Sequence, residues 1–286
     1  MQILPTGATL GAIVDDVSLQ EPDSKETARI IAAWHEYGVL AFPRQYLNDE
    51  EHIAFSRLFG KLERLLTTAI EDSRPEIFRV GNVRPDGTID ETDGAYSALN
   101  KGNQHWHTDS SYKHITSKAS ALRAKILPAS GGATQFADMR AAYEVLDDDV
   151  KAQVENKMVV HDFAYSHGQA VDLMTQAERQ ALPPVEHPLV RVHESTGRRA
   201  LFAGRHASHI VGEDVERSRR FLVDLTEAAC QSPRIYTHEW QEGDLVIWDN
   251  RCVLHRGLPW PANEPRLLFR TTVACDGPNH EGLIGD

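Results

Sequence analysis

The sequence is poor in the features that mark several large protein classes. It has only three cysteines, Cys230, Cys252 and Cys275, odd in number and widely spaced. That excludes a disulfide framework or a cysteine zinc clip, and reads as free thiols in a reducing, cytoplasmic setting. No apolar run reaches the roughly 20 residues of a membrane span, so no membrane partner is expected. The N-terminus, MQILPTGATLGAIVDDVSL, lacks a basic segment followed by a long apolar stretch, and no secretory signal is read there. Positive charge is also short: 30 Lys and Arg stand against 42 Asp and Glu, a formal net charge of −12. Phosphate binding needs a basic face, so no nucleic acid partner is expected, although a local basic pocket for one small anion is allowed. No repeat, low-complexity tract or Pro/Gly/Ser linker divides the chain, and residues 1–286 read as a single domain with insertions.

What is present is enough apolar residue, 41%, for a sizeable core. DSKETARIIAAWHEYG predicts a helix with Thr27, Ile30, Ile31 and Trp34 on its apolar stripe and Gly38 at its close. VLAFP predicts a buried strand stopped by Pro43. NDEEHIAFSRLFG predicts a second helix, capped by Asn48 with Glu51 three residues on and ended by Gly60. From about Glu76 onward, IFRVGNV, ASALRAKIL, GGATQFADM, HPLVRVHE, RALFAG, RIYTHEW, GDLVIWDN and RLLFRTTV predict short strands. Helices are expected in AAYEVLDDDVKAQVENK, in GEDVERSRRFLVDLTEAACQ and in TQAERQAL, where Thr175 and Glu178 form a capping pair. The expected fold class is mainly β with helical insertions, a jelly roll or related barrel whose mouth is a natural ligand site.

Fourteen histidines make imidazole chemistry the richest signal. In QHWHTDSSY, read as extended, His107 and Asp109 share a face and can grip one ion together. The best third ligand is His255 in WDNRCVLHRG, at the end of a strand that opens into a loop. Two histidines and one carboxylate leave coordination positions open, which suits non-haem Fe(II) binding a co-substrate and O₂. Taken singly, an H-x-D pair or a lone histidine is more often structural. His105, His107 and Asp109 together also read as part of a zinc-hydrolase motif, ranked lower because Ser110 stands where that motif continues with histidine. His206 and His209 form H-x-x-H without the helical metalloprotease pattern. On PRLLFRTTV, alternation places Arg266, Leu268, Arg270 and Thr272 on one face and Leu267, Phe269, Thr271 and Val273 on the core face. Two arginines on an inner wall need anions, and a planar guanidinium fits a carboxylate; outward, solvated arginines are the plain alternative. A non-enzymatic barrel that senses or stores a small acid ranks last.

These blocks, taken in order with VLAFPRQYLNDEEHIAFSRLFGKLE, HWHTDSSY, PASGGATQFADMRAAYEVL, ALPPVEHPLVRVH, LFAGRHASHI, GDLVIWDNRCVLHRG and PRLLFRTTV, resemble the 2-oxoglutarate-dependent taurine and 2,4-dichlorophenoxyacetate dioxygenases over nearly the whole chain. The resemblance implies a double-stranded β-helix holding Fe(II), with 2-oxoglutarate and O₂ as co-substrates. It implies His107, Asp109 and His255 as iron ligands, and Thr134 and Arg266 as the holders of the distal carboxylate of 2-oxoglutarate. Arg270 matches a position for an acidic substrate, and Asn103, four before His107 on the same face of a regular strand, one near co-substrate and substrate. GRHASHI, DMRAAYEVL and WDNRCVLHRG look more like phenoxyacetate-type members, in which His206 matches a histidine near the substrate carboxylate or ether. Two departures are Arg205, where a smaller residue is expected, and the loop ETDGAYSALNKGN. The implied reaction is hydroxylation of a small anionic acid of aryloxyalkanoate type with C–O cleavage; a taurine, alkylsulfonate or sulfate ester dioxygenase is the alternative within the family. Trp106 and Trp248 are expected to pack around the site. A homo-oligomer is expected, and the loop around Asp90–Asn103 is a candidate lid.

Overall fold

The structure is a computed structural model and describes residues 1–64, 74–90, 95–168 and 176–276. The chain begins with β1 (Gln2–Pro5), β2 (Ala12–Asp15), α1 (Ser24–Tyr37), β3 (Val39–Phe42), α2 (Asp49–Arg57) and β4 (Phe78–Gly81). It continues through α3 (Ala95–Asn103), β5 (Ser117–Ile126), β6 (Thr134–Asp138), α4 (Met139–Glu144), α5 (Asp148–Val154), β7 (Met158–His161) and α6 (Phe163–Gly168). Next come α7 (Gln176–Ala181), β8 (Val185–Pro188), β9 (Val190–Val192), β10 (Arg199–Leu201), β11 (Ala207–Ile210) and α8 (Val215–Ala229). It closes with β12 (Ile235–His238), β13 (Leu245–Asp249), β14 (Val253–Gly257) and β15 (Leu267–Ala274). The architecture is mostly β-sheet with helices. The seven-stranded sheet runs β1-β2-β3-β13-β5-β15-β4. Facing segments form three-stranded sheets β12-β6-β14 and β11-β7-β8 and the pair β10-β9. All pairings are antiparallel except β2 with β3.

Two apolar cores sandwich the large sheet, which explains why β3 and β13 are buried at every residue. Alternation sorts their side chains: Leu40, Phe42, Leu245 and Ile247 enter the core under α1 and α2, while Val39, Ala41, Val246 and Trp248 enter the core toward the smaller sheets. On β15 the expected parity holds, with Leu267, Phe269 and Val273 in the first core and Leu268 in the second. Both expected helix starts are present as capping boxes, Asp23 with Glu26 and Asn48 with Glu51. Gly38 closes α1 at φ 71°, whereas α2 ends at a Leu58 cap, before Gly60.

Several elements differ from the sequence reading. AAYEVLDDDVKAQVENK forms two helices, α4 and α5, not one. The run Asp147–Asp149 suits the positive end of a new helix better than a helix interior. HPLVRVHE splits into β8 and β9. QHWHTDSSY is not a strand: α3 runs up to Asn103, and a turn follows in which only His107 makes a sheet-type bridge. His255 lies in the middle of β14, not at a strand end. Thr175 lies outside the described residues, as do residues 91–94 of the candidate lid. No helix of the described residues is long and apolar enough to cross a membrane.

Candidate active site

His107 and His255 face each other through a mutual backbone bridge. The His107 N–H donates to the His255 carbonyl at 3.0 Å and the His255 N–H returns to His107 at 2.7 Å. This two-way closure fixes two imidazoles from distant chain segments, their ring centroids 4.1 Å apart. Asp109 joins them, with Oδ2 3.8 Å from His255 Nε2. One ligand atom from each of the three lies within 4.8 Å of the others, and all three residues are buried. Asp109 is placed by a polar chain that the sequence reading missed. Ser120 on β5 donates its hydroxyl to Asp109 Oδ2 at 2.6 Å and accepts from Asn250 Nδ2 at 2.9 Å. The side-chain oxygen of Asn250 accepts from Trp248 Nε1 at 3.0 Å and from the Asp109 N–H at 3.2 Å. A serine between two alanine-rich flanks, in ASALRA, and an asparagine just after a strand, in WDN, were the available signals.

The charge states suit a cation. Burial is the main cause that lowers His107 well below the ordinary 6.5 and His255 to about 4, so both rings are neutral donors near neutral pH. Burial pushes the Asp109 carboxyl up, but Arg270, both histidines and the Ser120 hydroxyl outweigh it and bring the group to about 2. His107 Nδ1 donates to the His105 carbonyl at 2.8 Å, which leaves its Nε2 lone pair for an ion. A ferrous ion therefore fits: two neutral imidazoles, one carboxylate and too few protein ligands to close a zinc site. The His105 side chain is exposed and is not part of the cluster, which removes the H-x-H-x-D zinc set. His206 and His209 form no metal cluster among the described residues. A second cluster, His193, Asp249 and Cys252, is an ion-pair network in which Arg251 already holds both Asp249 oxygens.

A cavity opens beside the triad, and Asn103, His107, Thr134, His255, Arg266 and Arg270 are among its walls. Arg266 is buried, its guanidinium donates among the described residues to the Gly132 carbonyl alone, at 3.1 and 2.8 Å, and burial lowers it to about 10. Gly81 permits this placement: at φ 149° it presses on the Arg266 backbone, where a Cβ would sit 1.9 Å from the carbonyl oxygen. Thr134 Oγ1 accepts from Trp240 Nε1 at 3.0 Å, which keeps its own hydroxyl hydrogen for an anion. A buried cation with no carboxylate partner among the described residues and a hydroxyl donor on one wall together make a carboxylate receptor.

Arg270 differs in its partner. Its Nη1 donates to Asp109 Oδ1 at 2.6 Å, and its Nε is buried without a partner among the described residues. Asn103 reaches the cavity from the end of α3 and not from a strand face, as the sequence reading supposed. His206 is buried beyond the triad, its ring 6.3 Å from His107, 5.0 Å from Tyr112 and 6.2 Å from Phe163. Tyr112 and Phe163, 4.3 Å apart, were not singled out from the sequence. Arg205 packs against Gly102 and donates to the Ser166 carbonyl at 3.1 Å; no carboxylate pairs with it among the described residues, and burial lowers it to about 10. Trp248 packs 4.6 Å from His255, and Trp106 lies under Arg256, as expected of packing residues.

Comparison with known proteins agrees with this geometry. The family described as "Taurine catabolism dioxygenase TauD, TfdA family" matches residues 2–272. The chain is 40% identical to an (S)-phenoxypropionate/alpha-ketoglutarate-dioxygenase of Sphingobium herbicidovorans, over 98% of this chain and 97% of that one. It is 39% identical to an alpha-ketoglutarate-dependent 2,4-dichlorophenoxyacetate dioxygenase of Cupriavidus pinatubonensis, over 95% and 97% of the two chains. The crystal structure of AAD-2 in complex with Mn(II) and N-oxalylglycine superposes with a TM-score of 0.89 at 36% identity, covering 97% of this chain and 99% of that one. Site and relatives together define a 2-oxoglutarate-dependent dioxygenase. The chain belongs to the taurine catabolism dioxygenase TauD, TfdA family.

Proposed function

We propose that the chain, as one double-stranded β-helix domain, uses Fe(II), 2-oxoglutarate and O₂ to hydroxylate a small aryloxyalkanoate-like acid, with C–O cleavage after hydroxylation. The carrying observation is the convergence of His107, Asp109 and His255 beside a wall that offers Thr134 and Arg266 to a carboxylate. His107, Asp109 and His255 would hold the iron, which when bound supplies O₂ activation coupled to decarboxylation of the co-substrate. Thr134 and Arg266 would clamp the distal carboxylate of 2-oxoglutarate, and Asn103 would border both ligands. Arg270, already linked to Asp109, would hold the substrate acid beside the metal, with His206 and Arg205 on the far side. The Tyr112 and Phe163 rings give that side an apolar wall suited to an aryl group. We place the enzyme in the cytoplasm as a homo-oligomer with no nucleic acid or membrane partner.

The test is succinate release with Fe(II) and 2-oxoglutarate across aryloxyacetates, both enantiomers of aryloxypropionates, taurine and alkyl sulfates. The reading expects the largest stimulation, with phenol release, from an aryloxy acid. Stimulation by taurine or an alkyl sulfate alone would contradict it.

A further inference from the structure

β6 lies between β12 and β14, and the register sets Thr134 opposite His238 on one side and Gly257 on the other. Trp240, two residues beyond His238, reaches back so that its indole Nε1 donates to Thr134 Oγ1 at 3.0 Å. An indole N–H only donates, so it takes one of the two lone pairs of the hydroxyl and turns the hydroxyl hydrogen away from Trp240. No protein acceptor takes that hydrogen among the described residues. Thr134 is 3% exposed and shares the cavity wall with Arg266. A buried hydroxyl hydrogen without an acceptor costs free energy, and an anion in the cavity recovers it.

Trp240 is itself held from both sides in sequence. The His238 ring packs edge-on against the indole, centroids 4.6 Å apart at 84°. Asp244 Oδ2 lies 3.1 Å from His238 Nε2 and accepts the Gln241 N–H at 3.0 Å. A carboxylate only accepts, so Nε2 carries the hydrogen, and in the neutral ring Nδ1 accepts the Tyr236 hydroxyl at 2.9 Å. One carboxylate thus anchors the residue two before Trp240 and the residue after it.

We propose that Trp240 is a positioning residue for the co-substrate, acting through Thr134. Its N–H polarises and aims the threonine hydroxyl, which meets the distal carboxylate of 2-oxoglutarate as a preset donor beside Arg266. Trp240 is not among the residues that line the cavity, so it acts only through the threonine. This inference rests on the reading of Thr134 and Arg266 as the carboxylate clamp.

Two measurements on the full chain test it, and neither needs turnover. The first is calorimetric binding of 2-oxoglutarate to anaerobic Mn(II)-loaded protein. W240F keeps a ring but loses the donor, and is expected to weaken binding about threefold to tenfold, the scale of one hydrogen bond. T134V is expected to weaken it at least as much, and in that background W240F is expected to add less than about twofold. Mn(II) affinity is expected to stay within about twofold in all three variants. The second is ¹H–¹⁵N NMR of the indole groups of the metal-free protein, with Trp240 assigned by its through-space contacts to the His238 ring. Its N–H signal is expected downfield in the wild type and in T134S, which keeps the hydroxyl, and upfield in T134V. A Trp240 N–H indifferent to T134V, wild-type affinity in W240F, or a W240F effect that persists in full without the Thr134 hydroxyl would each overturn the proposal. Wild-type affinity in T134V would instead overturn the clamp reading on which it rests.

Discussion

Asp109 carries more of the site than any other residue, since it faces His255, accepts from Ser120 and receives the Arg270 guanidinium. His107→Ala or Asp109→Ala is expected to abolish turnover, measured as succinate release, in a protein that still unfolds cooperatively. The two arginines are expected to separate kinetically. Arg266→Ala should raise the KM for 2-oxoglutarate by about tenfold to a hundredfold, because a charged hydrogen bond is worth on the order of 1.5–3 kcal/mol. Arg270→Ala should raise the requirement for the acid substrate more than that for 2-oxoglutarate; equal effects on both would contradict the division. At this scale the residue types of the triad and of both arginines were legible, since few groups can share a metal and few can sit beside a buried cation, but the extended spacing read for His107 and Asp109 was not what brings them together. Ser120, Asn250, Tyr112 and Phe163 were not, because their roles depend on contacts made across the fold, between segments far apart in sequence.

Elements decide where those residues meet. The bridge between His107 and β14 brings two ligands together without a continuous strand, and Asn250 at the end of β13 holds Thr108, Asp109, Ser120 and Trp248 at once. Asn250→Ala is expected to destabilise the protein by on the order of 2–3 kcal/mol, by leaving buried polar partners unpaired, and to weaken metal binding; chemical denaturation and metal titration measure the two. The apolar face of α1 is a purely structural contrast. Trp34 is 1% exposed and packs on Phe59, and Trp34→Ala is expected to cost about 3–5 kcal/mol with the site geometry kept. Helices α1 and α2 were legible because the apolar stripe with Gly38 in the first and the Asn48 cap in the second act locally; the caps at Asp23 and Asp214 came only with the structure. The α4–α5 break and the turn at His105 were not, because alternation and helical spacing both persist across short segments whose path is set by the sheet beneath.

The whole molecule is a large sheet covered on both faces, with the candidate site between it and the smaller sheets. Burial on this scale leaves histidines neutral: His52 is lowered to about 3, and His187 and His255 to about 4, in each case chiefly by burial. Their folded values lie below the ordinary 6.5, so the unfolded chain binds more protons in acid. Stability is therefore expected to fall as pH drops below 6.5 and to keep falling through about 4 toward 3, as seen in thermal melts across that range. The β-rich class was legible in the many short apolar runs, and inner and outer faces in the alternation of β15. The small strands β7 and β11 emerged only with their pairing partners.

His107, Asp109 and the sequence-distant His255 are proposed to hold one ferrous ion. Anaerobic Fe(II) titration of the wild type and of H107A, D109A and H255A tests this directly. One ion per chain in the wild type, with affinity lost in each variant, is the expected result. Undiminished one-to-one binding by H255A would contradict it.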